Sequence, residues 1–215
     1  SAHAPANLRR LHHRSHHGLH HGDGGVDLQE KSLSKKKRKN NKTQYKMKPL
    51  VSIIMGSTSD LPVMEKAMKF LDEMEVPFEV NALSAHRTPD AVEKFAKEAA
   101  GRGLKVIIAG AGMAAALPGV IAASTNLPVI GVPIKGSSLD GMDAMLSIIQ
   151  MPPGIPVATV GVNGAMNAAI LAVEIMALAD ETLCARMTAY KAGLGAKIEK
   201  ANKDLAELKY NFKTN

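Results

Sequence analysis

From Pro49 onward, short β-rich apolar runs alternate with longer amphipathic stretches, and the alternation repeats about five times. A chain patterned in this way buries its apolar residues by forming a parallel sheet with helices on both faces. The predicted strands are Leu50 to Met55, Phe78 to Leu83, Lys105 to Ala109, Pro128 to Val132 and Pro156 to Val160. Most are nearly continuous in apolar residues, as strands covered on both faces are. Between the first two, Val63, Met64, Ala67, Phe70, Leu71 and Met74 recur at helical spacing with charged residues between them. Pro89 after Thr88 opens a second helix, carried by Ala91, Val92, Phe95, Ala96 and Ala99 and stopped by Gly101 and Gly103. The expected class is α/β, a three-layer αβα, Rossmann-like arrangement.

The last third of the chain reads differently. Asn163 to Ala179 is apolar on nearly all sides and predicts a deeply buried helix. Asp180 and Glu181 then open a protruding C-terminal helix, about 180–209. Its stripe of Met187, Tyr190, Leu194, Ile198, Ala201, Leu205 and Leu208 has no place to hide in a completed three-layer domain. Such a stripe predicts packing on a neighbouring subunit; docking within the same chain is the alternative.

Charge divides the chain near Met47. Residues 1–46 hold seven of the eight histidines and eleven Lys or Arg against three acids, leaving sixteen Lys or Arg and seventeen acids for residues 47–215. The basic pI of about 9.5 therefore belongs to the first segment, and the remainder lacks the basic face of a nucleic-acid binder. Residues 1–46 have too few periodic apolar residues to bury a core and read as a disordered extension, either appended artificially or encoded upstream. Met47-Lys48-Pro49 resembles a natural start. Lys35 to Lys39 also fits a nuclear-import or nucleic-acid patch, and the paired histidines His12-His13, His16-His17 and His20-His21 a metal site. Residues 47–215 are expected to form one catalytic domain. With a single cysteine, Cys184, the chain makes no internal disulfide and fits a reducing, cytoplasmic setting. No apolar run approaches the roughly 20 residues of a membrane span.

Four segments carry the chemistry. Gly56-Ser57-Thr58-Ser59-Asp60 falls where the first strand meets the first helix, at the ligand-binding edge of open parallel sheets. Small residues, hydroxyls and a helix start suit a phosphate there, and Asp60 suits ribose hydroxyls; a turn capped by Ser59 or Asp60 would look the same. Ser84-Ala85-His86-Arg87-Thr88-Pro89 follows the second strand. His86 is the only histidine after residue 46, able to give and take a proton near neutrality, beside an arginine that can fork onto phosphate. A structural histidine is the competing reading. Gly110-Ala111-Gly112-Met113-Ala114-Ala115-Ala116-Leu117-Pro118-Gly119 offers backbone amides and an apolar wall for a flat heterocycle or for carbon dioxide, or simply a tight turn. Ser147 to Pro156, with three prolines and a glycine, is a rigid loop that either caps the site of the same or an adjacent subunit or merely connects. Walker and G-x-G-x-x-G motifs are absent, which removes the main support for nucleotide hydrolysis and for dinucleotide chemistry.

Together the four segments resemble the phosphoribosylaminoimidazole carboxylase catalytic-subunit (PurE) family in its N(5)-carboxyaminoimidazole ribonucleotide mutase class. The resemblance covers residues 49 to about 208 and rests on G-S-x-S-D, S-A-H-R-T-P, G-A-G-x-A-A-x-L-P-G and S-I-x-Q-M-P-x-G-x-P-V-A-T-V in order. It implies a flavodoxin-like subunit in a homo-octamer, with no cofactor or metal. It also implies an isomerase of de novo purine biosynthesis that moves a carboxyl from the exocyclic nitrogen to a ring carbon. By the same resemblance Ser57, Ser59, Asp60, Ser84 and Arg87 hold ribose and phosphate, with Ala85 beside them in the substrate site, and His86 stands over the imidazole as the catalytic residue. Gly110, Ala111, Gly112, Ala116 and Leu117 complete the substrate pocket. Many members of the class have histidine where this chain has Ala116 and glycine where it has Met113. The alternatives are the family's direct carbon-dioxide-dependent carboxylase branch, and a non-catalytic flavodoxin-like phosphate binder.

Overall fold

The computed structural model describes residues 47–215, so the expectations for residues 1–46 lie outside the described residues. Five strands form one sheet: β1 (Val51–Met55), β2 (Phe78–Ala82), β3 (Val106–Gly112), β4 (Val129–Ile134) and β5 (Ala158–Thr159). The order is β2-β1-β3-β4-β5 with every neighbouring pair parallel. The helices are α1 (Leu61–Glu73), α2 (Pro89–Ala99), α3 (Leu117–Ala123), α4 (Met142–Ile149), α5 (Ala165–Ala177) and α6 (Glu181–Ala206).

Alternation along the strands builds two cores. Val51, Ile53, Met55, Val106, Ile108, Ile130 and Val132 face α1, α5 and the start of α6. Ile54, Ile107, Ala109, Ala111 and Val129 face α2, α3 and α4. This is the period-two side-chain pattern of a strand buried on both sides, and with it the expected three-layer, flavodoxin-like α/β fold is present.

The structure moves several expected boundaries. β3 runs on to Gly112, so Gly110 to Gly112 are strand residues paired with Val132, Pro133 and Ile134, not loop; the expected end at Ala109 took the glycines for a break that a central, doubly paired strand tolerates. β5 shrinks to two residues because Pro156 has no N–H for the ladder. Ser147 to Ile149 are the last turn of α4, which leaves the proline loop to begin at Gln150. α5 is buried along one face only, through Ala165, Ala168, Ala169, Ala172, Val173 and Met176. Its opposite face is open, with Met166 exposed and Ile170 half-buried. The sequence shows the apolar content of this helix but not which faces find partners within one chain.

α6 divides between the two readings of its stripe. Asp180 caps it, its carboxylate accepting from the Leu183 N–H at 3.0 Å. Leu183 and Met187 are buried, and Tyr190 meets Phe70 edge-on with ring centres 5.0 Å apart. Arg186 donates to the Met74 carbonyl at 2.6 Å and pairs with Glu75, tying the helix start to the end of α1. Beyond Tyr190 the stripe is bare, with Leu194, Ile198, Leu205 and Leu208 exposed. Among the described residues no helix is long and apolar enough to cross a membrane.

Gly131 sets how closely α3 and α4 approach β4. A methyl group there would lie 2.5 Å from Ile148 Cγ2 and 3.0 Å from Val157 Cγ1, two branched side chains with little freedom. At Gly110 the equivalent contact is 2.6 Å from Met64 Sδ, the far end of a flexible chain. Gly131→Ala is therefore expected to destabilise by about 1–3 kcal/mol, and Gly110→Ala by clearly less. Urea melts of both variants, read at a common m-value, check this order.

Candidate active site

At the carboxyl ends of β1 to β4 a cavity of about 520 Å³ opens. The strand order turns back between β1 and β3, and open sheets form crevices at that point. Four chain segments line it. After β1 come Gly56, Ser57, Ser59 and Asp60; after β2, Ser84, Ala85, His86 and Arg87. From the end of β3 into α3 come Ala111 to Leu117, and after β4, Ile134, Lys135 and Gly136.

The first segment is a single 3₁₀ turn over Thr58–Asp60. Ser57 caps it, its hydroxyl accepting from the Ser59 N–H at 3.3 Å. Asp60 occupies the N-cap position of α1 yet makes no side-chain cap bond, so its carboxylate remains free to face the cavity. Burial raises its pKa above the ordinary aspartate value, partly offset by hydrogen bonds from the Ser59 hydroxyl and the Ser57 backbone.

The second segment is closed by its own side chains. Thr88, the expected cap of α2, makes no cap bond. Its hydroxyl instead donates to the Ser84 carbonyl at 3.1 Å and accepts from the Ser84 N–H at 3.0 Å. Ser84 Oγ accepts from the Arg87 backbone N–H at 3.2 Å and from its Nε at 3.4 Å. Arg87 Nη2 then crosses to the first segment, donating to the Gly56 carbonyl at 2.9 Å. That bond brings the loop carrying His86 against the serine-rich turn, and His86 itself is exposed at the rim.

The third segment supplies the apolar wall. Met113 is held at φ +57°, a left-handed conformation that glycine adopts without strain and a side chain does not. Ala116 sits at the start of α3 with Leu117 buried behind it.

Of the expected site residues, Ser57, Ser59, Asp60, Ser84, Ala85, His86, Arg87, Ala111, Gly112, Ala116 and Leu117 all line this one cavity. Gly110 does not. It lies inside β3 against Met64. The proline loop also stays away from its own chain's cavity, because β5 is at the far edge of the sheet; Met151 rests near Gly119, and Gly154 to Pro156 line a separate hollow. Sequence reasoning missed the segment after β4, and with it Lys135. Its signal was positional: β4 ends at the same edge as β1 and β3, and Lys135 is the first charge after an unbroken apolar run.

The sequence model of one protein family, described as AIR carboxylase, matches residues 50–197. The N5-carboxyaminoimidazole ribonucleotide mutase of Pyrococcus horikoshii is 53% identical over 161 residues, covering 75% of this chain and 91% of that protein. The phosphoribosylaminoimidazole carboxylase of Candida glabrata is 63% identical over 131 residues, covering 61% of this chain but 23% of that longer protein. Among solved structures, Treponema denticola PurE superposes with a TM-score of 0.66 at 32% identity, covering 73% of this chain and 98% of its own.

The raised pKa of Asp60 has a sign that can be tested. Above its folded pKa the ionised carboxylate costs the fold stability; below the ordinary value of 3.8 it is neutral folded and unfolded, and the cost vanishes. Asp60→Asn is expected to melt slightly higher at pH 7, by less than about 1 kcal/mol for a half-exposed group. The gap to the unsubstituted protein should close as pH falls toward 3.8. Thermal melts of both proteins across that range measure it, and a gap that widens on acidification contradicts the assignment.

Proposed function

This chain belongs to the AIR carboxylase family, and on that premise we propose that it is an N(5)-carboxyaminoimidazole ribonucleotide mutase, an isomerase of purine biosynthesis that yields 4-carboxyaminoimidazole ribonucleotide. The observation that carries the reading is the convergence of His86, Arg87, the Ser57 to Asp60 turn and an alanine-rich wall on one cavity. The chain also covers 91% of a relative named for that activity.

In this reading Ser57, Ser59, Ser84 and Arg87 hold the phosphate and Asp60 the ribose, which leaves the ring near His86 and the wall of Ala111 to Leu117. His86 begins as imidazolium. It protonates the exocyclic nitrogen as the N–C bond to the carboxyl breaks and carbon dioxide departs. The nucleophilic ring carbon then attacks the carbon dioxide, and neutral His86 removes the proton from that carbon. The imidazolium is regenerated, so no external acid, base or cofactor is consumed. A wall without polar side chains, Ala116 included, favours retention of a small neutral intermediate.

The same reading includes a homo-octamer, supported by the uncovered apolar residues Leu194, Ile198, Leu205 and Leu208 on α6, and a cytoplasmic location. It takes residues 47–215 as the catalytic domain, in keeping with the matched span of 50–197, and residues 1–46 as an extension with no part in catalysis.

His86→Asn is expected to keep nucleotide affinity and fold while lowering turnover about 100-fold or more, as for a lost general acid-base; a variant with near-normal turnover would refute the role. The direct carboxylase reading has its own discriminator. Labelled bicarbonate supplied during turnover of the N-carboxylated nucleotide should leave the product's carboxyl largely unlabelled if the enzyme moves the substrate's own group. Product labelled to the level of the medium would favour the carboxylase.

A further inference from the structure

The mutase reading leaves the migrating carboxylate itself without a partner. Arg87 is engaged, its guanidinium donating to the Gly56 carbonyl and the Ser84 hydroxyl beside the phosphate position. Asp60 carries the wrong charge, and Met113 to Leu117 offer an apolar surface. Among the described residues lining the cavity, Lys135 is the remaining permanent cation, on the wall contributed by β4.

The local backbone is built around that lysine. Its N–H donates to Asn163 Oδ1 at 2.9 Å, and Asn163 in turn donates its own N–H to the Pro133 carbonyl at 2.8 Å from a left-handed conformation, φ +58°. The ammonium pairs with Asp140 Oδ1 at 3.0 Å. Asp140 and Gly141 are both left-handed, at φ +52° and +90°, and a methyl on Gly141 would stand 3.2 Å from the Lys135 Cα and 2.7 Å from Val162 Cγ1. Three non-glycine or tightly packed left-handed positions bearing on one residue are held only where the surrounding structure over-determines them, and such strain gathers at binding sites. The backbone of Lys135 is thus fixed, while its flexible side chain is held only at the tip by the ion pair with Asp140. Its pair with Asp140 is exposed on both sides, a weak contact that a ligand carboxylate in a less hydrated cavity can displace.

We infer that the Lys135 ammonium binds the carboxylate of the substrate and product, and so makes the site discriminate carboxylated aminoimidazole nucleotides from the decarboxylated one. The inference rests on the mutase reading for the identity of the ligands. Attraction to a carboxylate is lost while the carboxyl is neutral carbon dioxide, so Lys135 strengthens the bound ground states without assisting the passage between them. It is a binding residue that holds the ground states alone, so its removal raises KM and kcat together and leaves kcat/KM nearly unchanged.

The test compares dissociation constants of the unsubstituted protein and Lys135→Gln for two nucleotides, 4-carboxyaminoimidazole ribonucleotide and aminoimidazole ribonucleotide. Loss of a charge-assisted hydrogen bond predicts about tenfold weaker binding of the first and unchanged binding of the second. Equal weakening of both, or of neither, overturns the inference. Asp140→Asn is the second variant, since asparagine tolerates the left-handed backbone. Removing the competing carboxylate should raise the preference for the carboxylated nucleotide several-fold, and an unchanged or lower preference counts against Lys135. Unsubstituted protein that binds both nucleotides but interconverts no carboxyl would sink the mutase reading instead, with the two affinities still deciding the role of Lys135.

Discussion

Everything at the site follows from one topological constraint: the chain leaves β1 for one face of the sheet and β3 for the other. α1 packs with the Val51, Ile53 and Met55 side, whereas α3 packs with the Ile107, Ala109 and Ala111 side. Two adjacent parallel strands whose exits diverge must leave a crevice between their loops. A crevice alone is only space. The Arg87 bond to the Gly56 carbonyl gives it a fixed shape, because it locks the loop after β2 to the loop after β1 and sets the distance between an imidazole and a row of hydroxyls.

That arrangement costs local stability, and most of the costs lie at the cavity end of the sheet. Asp60 keeps a partly buried carboxylate whose ionisation burial opposes. Among the described residues Glu75, after α1, is left-handed at the opposite end of the sheet, but Met113, Asp140 and Asn163 hold left-handed backbones at the cavity end without being glycine. None of these strains is needed by the two cores, whose residues obey ordinary alternation. A fold of this kind concentrates its departures from local preference at the functional edge, where binding energy can offset them.

How far the sequence discloses this depends on what each residue's role requires. Ser57, Asp60, His86 and Arg87 were legible because loops after parallel strands have a known destination, and polar residues in them have few structural duties. The two-sided burial of β1 and β3 was legible from nearly continuous apolar runs. Gly110 misled because glycine reads as a loop, although in a central strand it serves to admit Met64. Lys135 escaped notice because a lone lysine after a strand resembles any solvated charge; only the tertiary placement of Asp140, Gly141 and Asn163 around it marks it out. The division of α6 at Tyr190 was hidden for a related reason. Periodicity reports a continuous stripe, and the reach of α5 and Phe70 decides where cover ends.

The exposure of the rim links the two proposals that the single chain leaves apart, the carboxyl migration and the octamer. Carbon dioxide released into an open cleft would diffuse away faster than a ring carbon could recapture it, so the proposed chemistry requires a lid. Within one chain His86, Arg87 and Met113 are open to solvent, and no segment of the described residues covers them. The same chain carries uncovered apolar residues on α6, on the outer face of α5 and at Leu146 and Ile149 of α4. Burying such residues against further copies is favourable by roughly 25 cal/mol per Å². In the proposed octamer that association would both stabilise the subunits and bring neighbouring chain up to the cavity mouth. Enclosure of the intermediate and cover for the stripe are then two consequences of one hydrophobic assembly step.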